Sequence, residues 1–139
     1  IRDMHFMLQK EVVQRMVATP SSSDYGRLSV MLQYRFDMAH LFDVPGEAFH
    51  PVPKVTSSFV GMRPLHPLPY PARDPAMFAK IVSAAFSTRR KTLRNALKTH
   101  LTDHDFAVLG IDPILRAENL GVADYARIAN HLVARPAGD

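Results

Sequence analysis

Phe49-His50-Pro51-Val52-Pro53-Lys54-Val55-Thr56-Ser57-Ser58 is the stretch around which the chain is organised. Two prolines fix φ and restrict the residues before them, so the segment reads as a stiff turn. Val55 to Met62 after it is apolar and β-branched enough for a strand, and Leu41-Phe42-Asp43-Val44 before it ends another. One aromatic, Phe49, therefore sits on a rigid turn between two strands, with Lys54 five residues on. A loop held that way can present a flat ring to a flat ligand. Equally, Phe49 can close the core. The residues alone leave both readings open.

Outward on the N-terminal side, Phe36 to Val44 has a strand-like pattern, and Tyr25 to Tyr34 carries Leu28, Met31 and Leu32 at helical spacing. The turn formers Thr19-Pro20-Ser21-Ser22-Ser23-Asp24 precede that helix, which Ser23 or Asp24 is placed to cap. Met4 to Leu8 is a short apolar run followed at once by a helix from Glu11 to Met16. Strand followed directly by helix is the grammar of an α/β sheet.

Outward on the other side, the strand ends near Arg63, and four prolines fall within Pro64 to Pro71. That composition predicts an extended linker and a domain boundary. The remainder is helical in character. Phe78, Ile81, Val82, Ala85 and Phe86 share a face, and Leu93, Leu97 and Leu101 form the next apolar stripe. Ser87-Thr88 either caps a fresh helix from Arg89 or marks a bend in a continuous one. Thr102 is placed to cap a short helix holding Phe106 and Leu109, closed by Gly110, and Asp112-Pro113 starts another turn. Val122 to Val133 reads as the last amphipathic helix, with Tyr125, Ile128, Ala129 and Leu132 inward.

The chain has 139 residues, 47% of them hydrophobic, which suffices for a packed core. It begins at Ile1 with no targeting pattern, and we expect a fragment of a longer protein. No apolar stretch approaches a membrane span, and the absence of cysteine excludes disulfides and thiolate metal sites. A soluble, cytoplasmic monomer is expected. The net charge of +4 is unevenly placed: Lys80, Arg89, Arg90, Lys91, Arg94 and Lys98 lie between Pro75 and Thr102, where there is no acid. Without those six, acids outnumber bases. A polyanion is the partner such a segment suits.

On a helix, the run from Arg89 to Lys98 would turn Leu93 and Leu97 inward and crowd Arg90, Lys91, Arg94 and Lys98 on the remaining faces. Like charges four apart repel modestly, and phosphates relieve that repulsion. An ordinary solvated face is the competing reading. His100 and His104 stand at metal-ligand spacing, but a helix start at Thr102-Asp103 breaks the register, and no metal is expected. Asp37, Asp43 and Glu47 make no recognisable acid/base pair, and no phosphate-cradling glycine loop occurs.

Four stretches in order carry a resemblance: Gln9-Lys10-Glu11-Val12; Tyr25-Gly26-Arg27-Leu28-Ser29-Val30 with Gln33; Phe49-x-Pro51-x-Pro53-Lys54-Val55-x-Ser57; and Arg89-Arg90-Lys91-Thr92-Leu93-Arg94-Asn95-Ala96-Leu97. Together they resemble the ribosomal RNA adenine dimethyltransferase family, in its small-subunit branch, over essentially the whole chain. The resemblance implies an α/β plus α fold. Residues 1–64 would be the C-terminal strands and helices of a Rossmann-like methyltransferase domain, 65–71 a proline-rich linker, and 72–139 a helical RNA-binding domain.

It also implies a reaction: methyl transfer from S-adenosylmethionine to the exocyclic amine of adenines in small-subunit ribosomal RNA. Phe49 matches the family's aromatic that packs against the flipped-out adenine. Lys54, Arg89, Arg90, Lys91, Arg94 and Lys98 would contact RNA. The family's glycine-rich cofactor loop, its ribose-holding acid and its Asn-Leu-Pro-Tyr motif should lie upstream of Ile1. No cofactor-binding or catalytic residue is therefore carried over to this chain, and the fragment alone is expected to be inactive. A non-catalytic RNA-binding module of the same fold and a large-subunit rRNA methyltransferase are the rival implications.

Overall fold

Ser58, Val60 and Met62 are buried at every second position of one strand, and two further strands pair with it. The computed structural model describes residues 3–48, 50–52 and 54–135. Its elements are β1 (Met4–Gln9), α1 (Lys10–Val17), α2 (Arg27–Gln33), β2 (Phe36–Val44), β3 (Ser57–Pro64), α3 (Pro75–Ala85), α4 (Leu93–Ala96), α5 (Asp103–Leu109) and α6 (Val122–Ala134), with single 3-10 turns at Gly46–Ala48 and Ala117–Asn119. The chain divides into two units, Ile1–Thr19 with Ser23–Pro69, and Pro20–Ser22 with Tyr70–Asp139.

In the first unit β3 is central, antiparallel to β1 on one side and β2 on the other. Met4 faces Met62, and Met38 faces Met62 from the opposite strand. These side chains pack with Val13 and Met16 of α1 and with Val60, so one sheet face is covered by helix. Between His40 and Phe42 the β2–β3 register slips by one residue, leaving Leu41 as the extra one.

The last carbonyls of α1 have no partners within their own helix. The Ser29 hydroxyl donates to the Arg15 carbonyl, and the Gln33 amide donates to Met16 at 3.0 Å and Ala18 at 2.8 Å. Thus the Tyr25–Gln33 motif is a fastener for the end of α1. This also corrects the expected cap. α2 begins at Arg27, and its N-cap is Gly26, whose amide donates to Ser29 Oγ at 3.1 Å, so neither Ser23 nor Asp24 caps it. The third strand likewise starts two residues later than expected, at Ser57, with Val55 exposed.

In the second unit Asp74 caps α3 by accepting from the Ala76 and Met77 amides, with Pro75 at the first helical position. Phe78, Ile81, Val82, Leu93, Leu97, Leu101, Phe106, Tyr125 and Ile128 are buried together in its core. The Tyr125 hydroxyl donates to the Ala117 carbonyl at 2.6 Å, fixing the 3-10 turn against α6. Thr102 and Asp105 cap α5 reciprocally, and Gly110 closes it at φ 68°.

The basic run is not one helix. Arg89 and Arg90 lie in a turn, Lys91 in a bend, and helix begins only at Leu93. The competing structure is local and tertiary. Thr92 Oγ1 accepts from the Asn95 amide, while the Leu93 and Arg94 amides donate to the Leu115 and Pro113 carbonyls at 2.7 and 3.0 Å. First-turn amides already bonded to a neighbouring loop cannot continue a helix backwards. Arg90 and Arg94 are therefore not helical neighbours.

Candidate nucleic-acid interface

The turn from Ser87 to Lys91 is exposed because its flanks are not: Ala85 before it and Leu93 after it are buried, and the chain between must loop outward. Lys91 closes the turn with its amide on the Thr88 carbonyl at 3.3 Å. Arg89, Arg90, Lys91 and Lys98 are all exposed, and Arg90, Lys91 and Lys98 carry no ion pair among the described residues. Arg94 differs. It meets Asp103 at 2.9 Å, an acid lying one residue beyond the acid-free span. Sequence reasoning missed Arg116, whose guanidinium donates to the Arg89 carbonyl at 3.2 Å and so adds a cation to this patch. Spacing gives no hint of it, because 27 residues separate the two.

In the first unit the loop between β2 and β3 carries the other predicted residues. Lys54 is exposed there. Phe49 and Pro53 lie outside the described residues. The foot of the loop is strongly knit: Asp43 accepts from Ser58 Oγ at 2.6 Å and bonds His40 Nε2 at 2.8 Å, with Lys10 Nζ at 3.0 Å. Lys10 also donates its backbone amide to Thr56 at 2.9 Å. The Ser58 hydroxyl, then Lys10 and His40, hold the Asp43 carboxyl well below the usual carboxylate range. Asp43 and Lys10 are thus the organising residues of the loop's base, although nothing in the sequence pairs the two.

Chemically, the exposed basic turn offers point charges and planar guanidiniums to phosphates. No group of three or more possible metal ligands occurs among the described residues. No helix among the described residues is long and apolar enough to cross a membrane.

A family model described as ribosomal RNA adenine dimethylase matches residues 1–134. The chain is 63% identical over 134 residues to the "Ribosomal RNA small subunit methyltransferase A" of Methylobacillus flagellatus, covering 96% of this chain and 52% of that protein. It is 61% identical over 135 residues to the protein of the same name from Aromatoleum aromaticum, covering 97% and 51%. The chain thus spans about half the length of the curated relatives it matches. Two solved structures share the fold. A dimethyladenosine transferase from Plasmodium falciparum superimposes with TM-score 0.74 at 20% identity, over 92% of this chain and 56% of that one. The 23S rRNA methyltransferase ErmE gives 0.66 at 18%, over 96% and 55%.

Proposed function

The chain belongs to the ribosomal RNA adenine dimethylase family, and on that footing we propose that it supplies the target-adenine loop and the RNA-binding unit of a small-subunit rRNA adenine dimethyltransferase. The donor in that reaction is S-adenosylmethionine, and the acceptor is the exocyclic amine of adenine. The observation that carries the reading is the family match over residues 1–134 together with the unpaired basic turn at Arg90 and Lys91.

The S-adenosylmethionine site is read as lying outside this chain. Supporting this, among the described residues of the first unit the strand-to-helix junction from β1 into α1 passes from Gln9 to Lys10 with no intervening glycine loop, and Lys10 is engaged by Asp43. By resemblance, the cofactor motifs belong to the part of the relatives' length that this chain does not span. Residues 1–64 are read as the C-terminal part of a Rossmann-like domain, 65–71 as a linker, and 72–139 as the RNA-binding domain. Exposed Phe6, Met7 and Leu8 on an edge strand support a larger sheet in the whole enzyme.

What this chain does is bind and orient. An adenine amine is a weak nucleophile because its lone pair is conjugated with the ring. The base must leave its stack and be gripped by its faces. Phe49 packs against the extruded adenine, and Asp43, Ser58 and Lys10 hold the loop's foot. Lys54 and the cations at Arg89, Arg90, Lys91, Arg94 and Lys98 bind the phosphates that fix the RNA's register.

The test is a chimera joining this chain to the remaining half of the Methylobacillus flagellatus relative, assayed on purified ribosomal subunits. Mass spectrometry of the digested RNA should show dimethyladenosine in the small subunit. RNA binding without methylation would favour a non-catalytic module, and methylation confined to the large subunit would favour that rival. In the chimera, Phe49→Ala should reduce methylation far more than RNA affinity.

A further inference from the structure

On α6, Ala123, Ala126, Arg127 and Asn130 recur at i, i+3, i+4 and i+7, forming a face beside the stripe of Tyr125, Ile128 and Ala129 that enters the core. The segment from Tyr70 to Arg73 runs along that face. Asn130 holds it there from both ends of its amide, donating to the Pro71 carbonyl at 3.1 Å and accepting from the Arg73 amide at 2.9 Å. Helix and segment enclose a concave site of about 520 Å³ within the second unit. Two alanines form a smooth floor. Tyr70 stands at one side, 51% exposed.

Two guanidiniums border this site. Arg127 bonds the Leu109 carbonyl and the Asp124 carboxylate, the latter at 3.5 Å. Arg73 is exposed, and its guanidinium has no partner among the described residues. The nearby acids are engaged: Asp74 accepts from two α3 amides, and Asp124 also accepts from the Gly121 amide at 3.1 Å. An apolar floor, an exposed ring and one uncompensated guanidinium in a single small concavity match an unpaired nucleotide. Aromatic stacking and a phosphate contact are how single-stranded RNA is held, and paired bases have no free face to offer. The volume falls within the usual range for small-ligand sites.

We propose that this groove binds one unpaired nucleotide of RNA, its base against Tyr70 and the alanine floor and its phosphate on Arg73. It rests on the RNA-binding reading above and adds a contact separate in sequence from the basic turn.

The test uses the 139-residue chain with a fluorescent five-nucleotide oligoadenylate and a short RNA duplex, across a salt series. Tyr70→Ala and Ala123→Leu should weaken oligoadenylate binding by roughly five- to a hundredfold and leave duplex binding unchanged. Arg73→Gln should flatten the salt dependence by about 0.7 in log–log slope, one single-strand phosphate contact. Tyr70 and Arg73 are exposed positions, and unchanged thermal melts identify variants that remain folded. If all three variants bind like the parent while Arg90→Glu abolishes binding, the groove is overturned and the RNA-binding reading stands. If the parent binds neither RNA, both are overturned.

Discussion

Ser58 and Asp43 are cross-strand partners at the end of the β2–β3 ladder, and the serine hydroxyl donates to the carboxylate at 2.6 Å. The pair sits where the loop bearing Phe49 and Lys54 leaves the sheet, and Lys10 draws the start of α1 onto the same carboxylate. One acid therefore joins three segments distant in sequence. Its depressed pKa means that the folded state favours the ionised form. Asp43→Asn should lower the melting temperature at pH 7. The deficit relative to the parent should shrink as pH falls through and below the ordinary carboxylate range, because the parent's advantage is present above the unfolded pKa and disappears on protonation. Melts at pH 7 and pH 3 check the sign.

Arg94 and Arg90 should differ despite similar exposure. Arg94 is paired with Asp103, and Arg90 is not. Arg90→Glu is expected to weaken RNA binding and flatten its salt dependence more than Arg94→Glu. Asp103→Asn removes a negative charge and releases Arg94, so it should tighten binding modestly. Fluorescence anisotropy against ribosomal RNA at several salt concentrations distinguishes these orders.

Asp105 is buried, and burial alone would raise its pKa. The Thr102 amide, His131, the Thr102 hydroxyl and Arg135 outweigh that and bring it down to about 2. This stabilisation is complete above the unfolded value near 3.8 and is lost as pH falls towards about 2. Asp105→Ala should leave His131 and Arg135 without their carboxylate and lower stability at neutral pH, with little difference remaining at pH 2. Urea unfolding followed by circular dichroism measures both limits.

Gly110→Ala isolates a backbone effect. A Cβ there would meet nothing within 4 Å, yet φ is 68°. The substitution should destabilise by about 1 kcal/mol through the left-handed conformation alone. Tyr125→Phe should have a comparable effect, about 1 kcal/mol, by taking the buried hydroxyl from the Ala117 carbonyl and leaving it only the Leu120 amide at 3.3 Å. Chemical denaturation reads both.

Local rules made much of this fold legible. A strand-like pattern marked β2 and an apolar, β-branched run marked β3, helical spacing marked α3 and α6, and Thr102 and Gly110 bounded α5 as their chemistry requires. The misses share one physical cause: the deciding partner lies far along the chain. Composition places Arg89 to Lys98 on a helix, but the Pro113 and Leu115 carbonyls take the amides that would have decided it. Gly26 outcompetes two better capping residues because Ser29 meets both its amide and the Arg15 carbonyl. Of the candidate site, the acid-free segment marked the cations, the proline-flanked turn marked the aromatic, and the resemblance added the roles expected of them. Arg116 and the Lys10–Asp43 bond emerge only in three dimensions.

β1 lies at the margin of its sheet, and Phe6, Met7 and Leu8 on it face solvent. An unpaired, apolar rim of that kind is a template for strand addition from another molecule. Prepared alone at high concentration, the chain is expected to self-associate through β1, and a lysine at Met7 should keep it dispersed.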